Sequence, residues 1–138
     1  MLDFYQSPNV ATMRRFLETV PFDISGLTDE LVQTKLAAAM TRPAHLENFS
    51  TSFRDYPHQF GDVTSRLREI QAPSLVIWGS EDRVVPLDIG LQLAIRIPEA
   101  DLHVMGRCGH VPHLERLKDF NRLAVQFLAN WSRPLWRC

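Results

Sequence analysis

The 138-residue chain has few cysteines, little net charge and no long hydrophobic run. Its two cysteines, Cys108 and Cys138, are too few for a disulfide framework and lie at no metal-binding spacing from the histidines. A net charge of −1 without a basic block argues against nucleic-acid partners. The apolar runs are far shorter than the roughly 20 residues that a membrane helix needs. We therefore expect free thiols, no metal, no organic cofactor and no membrane segment, as is typical of a cytoplasmic protein.

The amino terminus also lacks a basic stretch followed by an apolar core, so we expect no signal peptide. The remaining composition is that of a globular protein, with 45% hydrophobic and 22% charged residues.

Residues 1–70 have the apolar spacing of helices. Ser7-Pro8 is predicted to begin the first helix, whose apolar positions are Val10, Met13, Phe16, Leu17 and Val20. Thr28 is a good cap for a second helix, in which Leu31, Lys35 and Ala38/Ala39 are predicted to share a face. Pro43 is expected to open a third helix, and Asp62 to cap a short fourth one.

Residues 71–131 change to an alternation of strands and helices. The predicted elements, in chain order, are the strand Ser74–Trp78, the helix Leu87–Ile97, the strand Leu102–Met105 and the helix Leu117–Trp131. This order predicts an α/β class with a parallel β-α-β-α arrangement. Two strands leave unpaired edges, which favour association into a homo-oligomer. Residues 132–138 break the helical pattern and are expected to form a loose tail.

Two loops after the predicted strands present one ionisable side chain each, Asp82 and His110. An acid followed by a histidine at such loop tips supplies two thirds of a hydrolytic triad in the chain order Ser…Asp…His. Gly109 is expected to let the second loop turn sharply, which would bring the imidazole back over the strand ends. The chain contains no Gly-x-Ser-x-Gly, so the nucleophile of such a triad is missing.

The second half resembles the C-terminal part of the α/β-hydrolase fold. The stretches that carry this resemblance are Pro73-x-Leu75-Val76-Ile77-Trp78-Gly79-x-x-Asp82-x-x-Val85-Pro86, Ile97-Pro98-x-Ala100, Cys108-Gly109-His110 and Phe120-Asn121-x-Leu123. The first half resembles the helical lid of the meta-cleavage-product hydrolases, through Leu27-Thr28-x-Glu30-Leu31-Val32-Gln33 and Arg42-Pro43-x-His45-Leu46-x-Asn48-Phe49.

The resemblance implies a partial α/β-hydrolase fold in which residues 1–70 form a lid and residues 71–131 form the end of the core. It implies a small-molecule substrate, a 2-hydroxy-6-oxo-dienoate from aromatic degradation, whose carbon–carbon bond is cut without a cofactor. It also implies that the family's earlier strands and nucleophile precede the lid, so that this chain is a truncated piece and is inactive alone.

The same resemblance implies roles for five residues. His110 would act as the general base, and Asp82 would orient and stabilise its imidazole. Lys35 lies near the position where relatives usually carry an arginine that holds the substrate's carboxylate, although lysine lacks the planar two-pronged geometry. Val84 and Val111 would line the pocket, and Val111 stands where many relatives have a tryptophan.

Other interpretations of these residues remain. Asp82 could serve only to form a turn, His110 could be a loop histidine without a partner, and Lys35 could be a solvated surface lysine. Glu81 and Asp88 are rival carboxylates, and the other histidines are expected to be structural or surface residues. The reaction could instead be that of an esterase or an epoxide hydrolase, because a fold does not fix a reaction. The chain could also be a fragment without catalysis.

Overall fold

The structure, a computed structural model, describes residues 2–55 and 62–130. The chain divides into two compact units between Asp62 and Val63. The predicted tail, residues 132–138, lies outside the described residues. None of the helices in the described part has the length and hydrophobicity that a bilayer span requires.

The first unit consists of helices, which are α1 (Leu2–Gln6), α2 (Val10–Thr19), α3 (Asp29–Met40) and α4 (Pro43–Asp55). The prediction that Ser7-Pro8 begins α2 is wrong, because Asn9 is its N-cap. The side chain of Asn9 accepts a bond from the Thr12 N–H at 3.0 Å, and the Thr12 hydroxyl accepts the Asn9 N–H at 3.0 Å. This reciprocal capping box satisfies two N–H groups that a helix start would otherwise leave free. Thr28 caps α3 as predicted, by accepting the Leu31 N–H.

The core of the first unit is small and partly aromatic, with Phe4, Met13, Val32 and Leu46 buried. Helix α3 enters this core through Val32, with Leu36 and Ala39 packed beside it. The face predicted for Leu31 and Lys35 is not the one that meets the core, since Leu31 is 38% exposed while Val32 is fully buried. The positions 32, 36 and 39 also follow helical spacing, so periodicity alone did not distinguish the two faces.

The second unit begins with a 3₁₀ helix (Thr64–Glu69) and continues with β1 (Ser74–Gly79), α5 (Leu87–Arg96), β2 (Ala100–Met105), α6 (Pro112–Glu115) and α7 (Leu117–Asn130). Val63, and not Asp62, occupies the N-cap position of the 3₁₀ helix, which has no side-chain cap bond. The two strands pair in parallel with a register that runs from Ser74↔Ala100 to Gly79↔Met105. The predicted parallel β-α-β-α arrangement is confirmed.

Helix α5 packs on both strands of this sheet. The contact is close because Gly90 is buried against the Trp78 ring, where a Cβ would lie 2.9 Å from the ring carbons. Ile97, just after α5, is buried, whereas Ile89 is 40% exposed. Leu128 in α7 is 66% exposed.

Candidate active site

Asp82 lies in the turn that follows β1 and uses both of its carboxylate oxygens. Oδ1 accepts the backbone N–H groups of Val84 and Val85 at 2.8 and 2.9 Å. Oδ2 lies 2.9 Å from Nδ1 of His110. The side chain of Asp82 is 5% exposed, while that of His110 is 38% exposed. Asp82 thus shapes its own turn and also holds a histidine that solvent can reach.

Burial of Asp82 opposes its ionisation, but hydrogen bonds outweigh that effect. The N–H of Val85, the His110 ring and the N–H of Val84 all favour the charged carboxylate, so the pKa of Asp82 lies below its ordinary value. A carboxylate that is ionised near neutral pH accepts a hydrogen bond from the Nδ1–H group of the imidazole. This fixes the tautomer in which Nε2 carries the free lone pair and can take up a proton.

The loop after β2 turns at Arg107, and not at a glycine as expected. Arg107 has φ of 53°, and no glycine in the described part of the chain has a positive φ. Glycine is needed instead where the two loops cross. A Cβ on Gly79 would lie 2.1 Å from the Gly109 carbonyl oxygen and 2.3 Å from that of Cys108. The close approach of these two backbones brings His110 to Asp82.

Glu81 joins the same two loops. Its N–H donates to the Cys108 carbonyl at 3.0 Å, and its carboxylate accepts the Cys108 N–H at 3.0 Å. A hydrogen bond from the Ser80 hydroxyl, followed by the one from Cys108, lowers the pKa of Glu81. Glu81 therefore supports the loops while Asp82 contacts the histidine, which makes it a structural carboxylate.

Glu115, in the short helix α6, holds the other side of the histidine loop and was not recognised from the sequence. Its carboxylate oxygens accept the Gly109 N–H at 3.0 and 3.1 Å, and Oε1 also accepts the Val111 N–H at 3.3 Å. The available signal was an acidic residue in the first turn after Val111-Pro112, where a helix can begin. The next residue, Arg116, donates to the Gly106 carbonyl at 2.8 Å.

Cys108 is fully buried between these groups. Burial, with the negative charge of Glu115 as the next cause, raises the pKa of the Cys108 thiol to about 11. A thiol that stays protonated at neutral pH is a poor nucleophile. Cys108 is therefore a packing residue in this loop.

The remaining predicted site residues lie in different places. Val84 and Val111 are half-buried neighbours in sequence of Asp82 and His110. Lys35 is exposed on α3 in the first unit, where it lines a cavity of about 230 Å³ together with Arg42, His45 and apolar side chains. The rival carboxylate Asp88 lies in the first turn of α5.

The other histidines differ from His110 in their surroundings. His103 belongs to β2, and the ring of His113 lies edge-on to Phe120 with centroids 6.0 Å apart. His58 lies outside the described residues. Within residues 2–55 and 62–130, no three His, Cys, Asp or Glu side chains are grouped as metal ligands would be.

A family model described as alpha/beta hydrolase family matches residues 3–123. The 2-hydroxy-6-oxononadienedioate/2-hydroxy-6-oxononatrienedioate hydrolase of Cupriavidus pinatubonensis is 47% identical over 126 residues, which are 91% of this chain and 44% of that relative. The 2-hydroxy-6-oxo-6-phenylhexa-2,4-dienoate hydrolase of Burkholderia cepacia is 45% identical over 94% of this chain and 46% of its own length.

A solved structure shows the same similarity. The meta-cleavage product hydrolase from Pseudomonas fluorescens IP01 superposes with a TM-score of 0.81 at 34% identity, over 90% of this chain and 47% of that chain. The chain spans slightly less than half the length of the curated relatives that it matches.

Proposed function

The chain belongs to the alpha/beta hydrolase family, and we propose that Asp82 and His110 are the acid and the base of its catalytic triad. The observation that carries the proposal is the 2.9 Å contact between Nδ1 of His110 and Oδ2 of Asp82. It joins a solvent-accessible imidazole to a buried carboxylate that is held ionised. The resemblance to the meta-cleavage-product hydrolases and the partial α/β-hydrolase fold, both expected from the sequence, are confirmed.

In the proposed reaction, Nε2 of His110 takes a proton from a serine hydroxyl or a water as its oxygen attacks a carbonyl carbon. Asp82 stabilises the imidazolium through Nδ1 and does not itself take the proton. The imidazolium then returns the proton to the leaving group. No Gly-x-Ser-x-Gly occurs in the 138 residues, so we propose that the nucleophile is supplied from outside them.

We propose a 2-hydroxy-6-oxo-dienoate as the substrate, with cleavage of the carbon–carbon bond next to its 6-keto group. The relatives from Cupriavidus pinatubonensis and Burkholderia cepacia are named for substrates of this class. In this proposal the ammonium of Lys35 attracts the substrate's carboxylate, and Val84 and Val111 line the pocket. Residues 1–70 act as the lid, and residues 71–131 contribute the last part of the core.

Two further proposals concern the protein's setting. The two-stranded sheet has the order β1-β2, so each strand has one unpaired edge in the described part, which supports association into a homo-oligomer. The free, buried thiol of Cys108 supports a reducing, cytoplasmic location.

The test joins the 138 residues to the part of the Cupriavidus pinatubonensis relative that precedes its matched region. The chimera is supplied with a 2-hydroxy-6-oxo-dienoate, whose yellow colour is lost on cleavage, and separately with nitrophenyl esters. We expect cleavage of the dienoate to exceed ester hydrolysis. Rapid hydrolysis of the esters without loss of the dienoate colour would instead identify an esterase.

The 138 residues alone provide the complementary measurement. Loss of a triad nucleophile removes a factor on the order of a million in turnover. We therefore expect no hydrolysis by the isolated chain that depends on the triad. Turnover by the isolated chain that disappears in His110→Ala would contradict the proposal that the nucleophile lies elsewhere.

A further inference from the structure

Carboxylates accept several N–H groups of the histidine loop, residues 106–111, around His110. Before the histidine, Cys108 N–H donates to Glu81 at 3.0 Å. On either side of the histidine, the N–H groups of Gly109 and Val111 converge on Glu115. The backbone of His110 is therefore held between two residues that share one acceptor.

We propose that Glu115 is a positioning residue that keeps the imidazole of His110 in line with Asp82. This rests on the proposed role of the pair, since a base must keep its ring orientation and tautomer through the reaction. The side chain of His110 is 38% exposed, so packing alone restrains it weakly. The backbone on both sides of its Cα must then be fixed if Nδ1 is to stay within 2.9 Å of Oδ2 of Asp82.

The contacts of Glu115 suit this task. Its Oε1 atom accepts both N–H groups, from Gly109 at 3.0 Å and from Val111 at 3.3 Å, and Oε2 also accepts the one from Gly109 at 3.1 Å. Hydrogen bonds to a charged acceptor are roughly twice as strong as neutral ones. Arg116, the next residue, fixes the start of the same loop through the Gly106 carbonyl at 2.8 Å. Arg116 thus holds the loop before its turn at Arg107, and Glu115 holds it after that turn.

The geometry distinguishes two substitutions at this position. Glu115→Gln keeps an oxygen in the place of Oε1, which can accept both N–H groups, and loses only Oε2, the second acceptor of the Gly109 N–H. Glu115→Ala removes both. The matched control is Glu99→Ala, because Glu99 is an exposed carboxylate just before the opposite end of β2.

The experiment uses the 138-residue chain labelled with ¹⁵N in its histidine rings. The Nδ1–H proton of His110, hydrogen-bonded to Asp82, is followed by NMR at a temperature where circular dichroism shows every variant folded. We expect this signal to persist in the parent chain, in Glu115→Gln and in Glu99→Ala, and to be lost in Glu115→Ala. A signal kept in Glu115→Ala, or lost in Glu115→Gln, would overturn the proposal.

A second measurement needs no variant and decides the matter if Glu115→Ala does not fold. Amide hydrogen exchange of Gly109 and Val111 in the parent chain should be slowed at least about tenfold relative to an unfolded peptide, as one ordinary hydrogen bond allows. Unprotected amides at both positions would overturn the proposal. These readouts report the ring and the loop, and not turnover. A chimera without dienoate activity would refute the proposed function. The role of Glu115 would still be tested by the NMR measurements, which do not depend on turnover.

Discussion

Gly79→Ala should destabilise the second unit more than a glycine-to-alanine replacement at Gly90 or Gly106. The new Cβ would lie 2.1 and 2.3 Å from two backbone carbonyl oxygens, those of Gly109 and Cys108. Carbon contacts are favourable only near 3.5 Å, so the loop must move by about 1 Å. Neither oxygen belongs to a flexible side chain that could rotate away.

The cost can be worked out from what this movement breaks. Overpacking of a close contact costs about 1–3 kcal/mol. The displacement also breaks the bond from Glu81 N–H to the Cys108 carbonyl, which contributes about 1 kcal/mol. We therefore expect the free energy of unfolding to fall by about 2–4 kcal/mol, which is a change of about thirtyfold to a thousandfold in the folding equilibrium.

Urea unfolding, followed by circular dichroism at one protein concentration, measures this change. With a slope of about 2 kcal/mol per molar urea, the midpoint should fall by about 1–2 M. The control is Gly106→Ala in the loop that Gly79 contacts, because a Cβ there meets nothing within 4 Å. Its free energy of unfolding should change by no more than about 0.5 kcal/mol. Equal midpoints for Gly79→Ala and Gly106→Ala would refute the proposed close crossing of the two loops.

Three further predictions concern charge and reactivity. Because the pKa of Asp82 is lowered in the folded chain, its stabilisation is complete above about pH 4 and is lost as the pH falls through the folded value. Asp82→Asn should therefore lower the urea midpoint at pH 7 by the equivalent of about 2 kcal/mol. The difference in midpoint between this variant and the parent chain should shrink towards pH 3. A difference that does not change with pH would show that the ionised carboxylate of Asp82 does not stabilise the fold. The pKa of Cys108 is about 11 in the folded chain, so little of its thiol is ionised at pH 8. In a Cys138→Ser variant, Cys108 should therefore react with a thiol reagent at pH 8 about a hundredfold more slowly in the folded chain than in urea. Equal rates would contradict the burial of Cys108. In the chimera, Lys35→Arg should keep KM for the dienoate within about threefold and Lys35→Ala should raise it about tenfold, as expected for one charge contact; an unchanged KM in Lys35→Ala would show a surface lysine.

The parallel arrangement of the second unit could be predicted because it depends on local signals. The apolar run at β1 begins after Pro73 and ends at Gly79, and the helix between the strands has clear amphipathic spacing. The loops that carry Asp82 and His110 follow from this order. The 2.9 Å contact between their side chains could not be calculated from the sequence, but it agrees with the roles that the resemblance implied.

The errors come from features that depend on tertiary contacts. The sequence did not show which face of α3 is buried, because Leu31 and Val32 are both apolar and only packing against Phe4, Met13 and Leu46 decides between them. The sharp turn of the histidine loop was expected at Gly109 because glycine adopts a positive φ without steric cost, but the positive φ lies at Arg107. Glu115 was missed because an acidic residue in the first turn after Val111-Pro112 indicates a helix start, but not that the carboxylate accepts the N–H groups of the histidine loop.

The rate of dienoate cleavage by the chimera and its variants tests whether Asp82 and His110 form the acid–base pair of a hydrolase. We predict that Asp82→Asn lowers kcat by about four orders of magnitude and that His110→Ala lowers it at least as far. The control variant Glu99→Ala should leave kcat unchanged. Dienoate cleavage by His110→Ala at a rate within about tenfold of the parent rate would show that His110 is not the base.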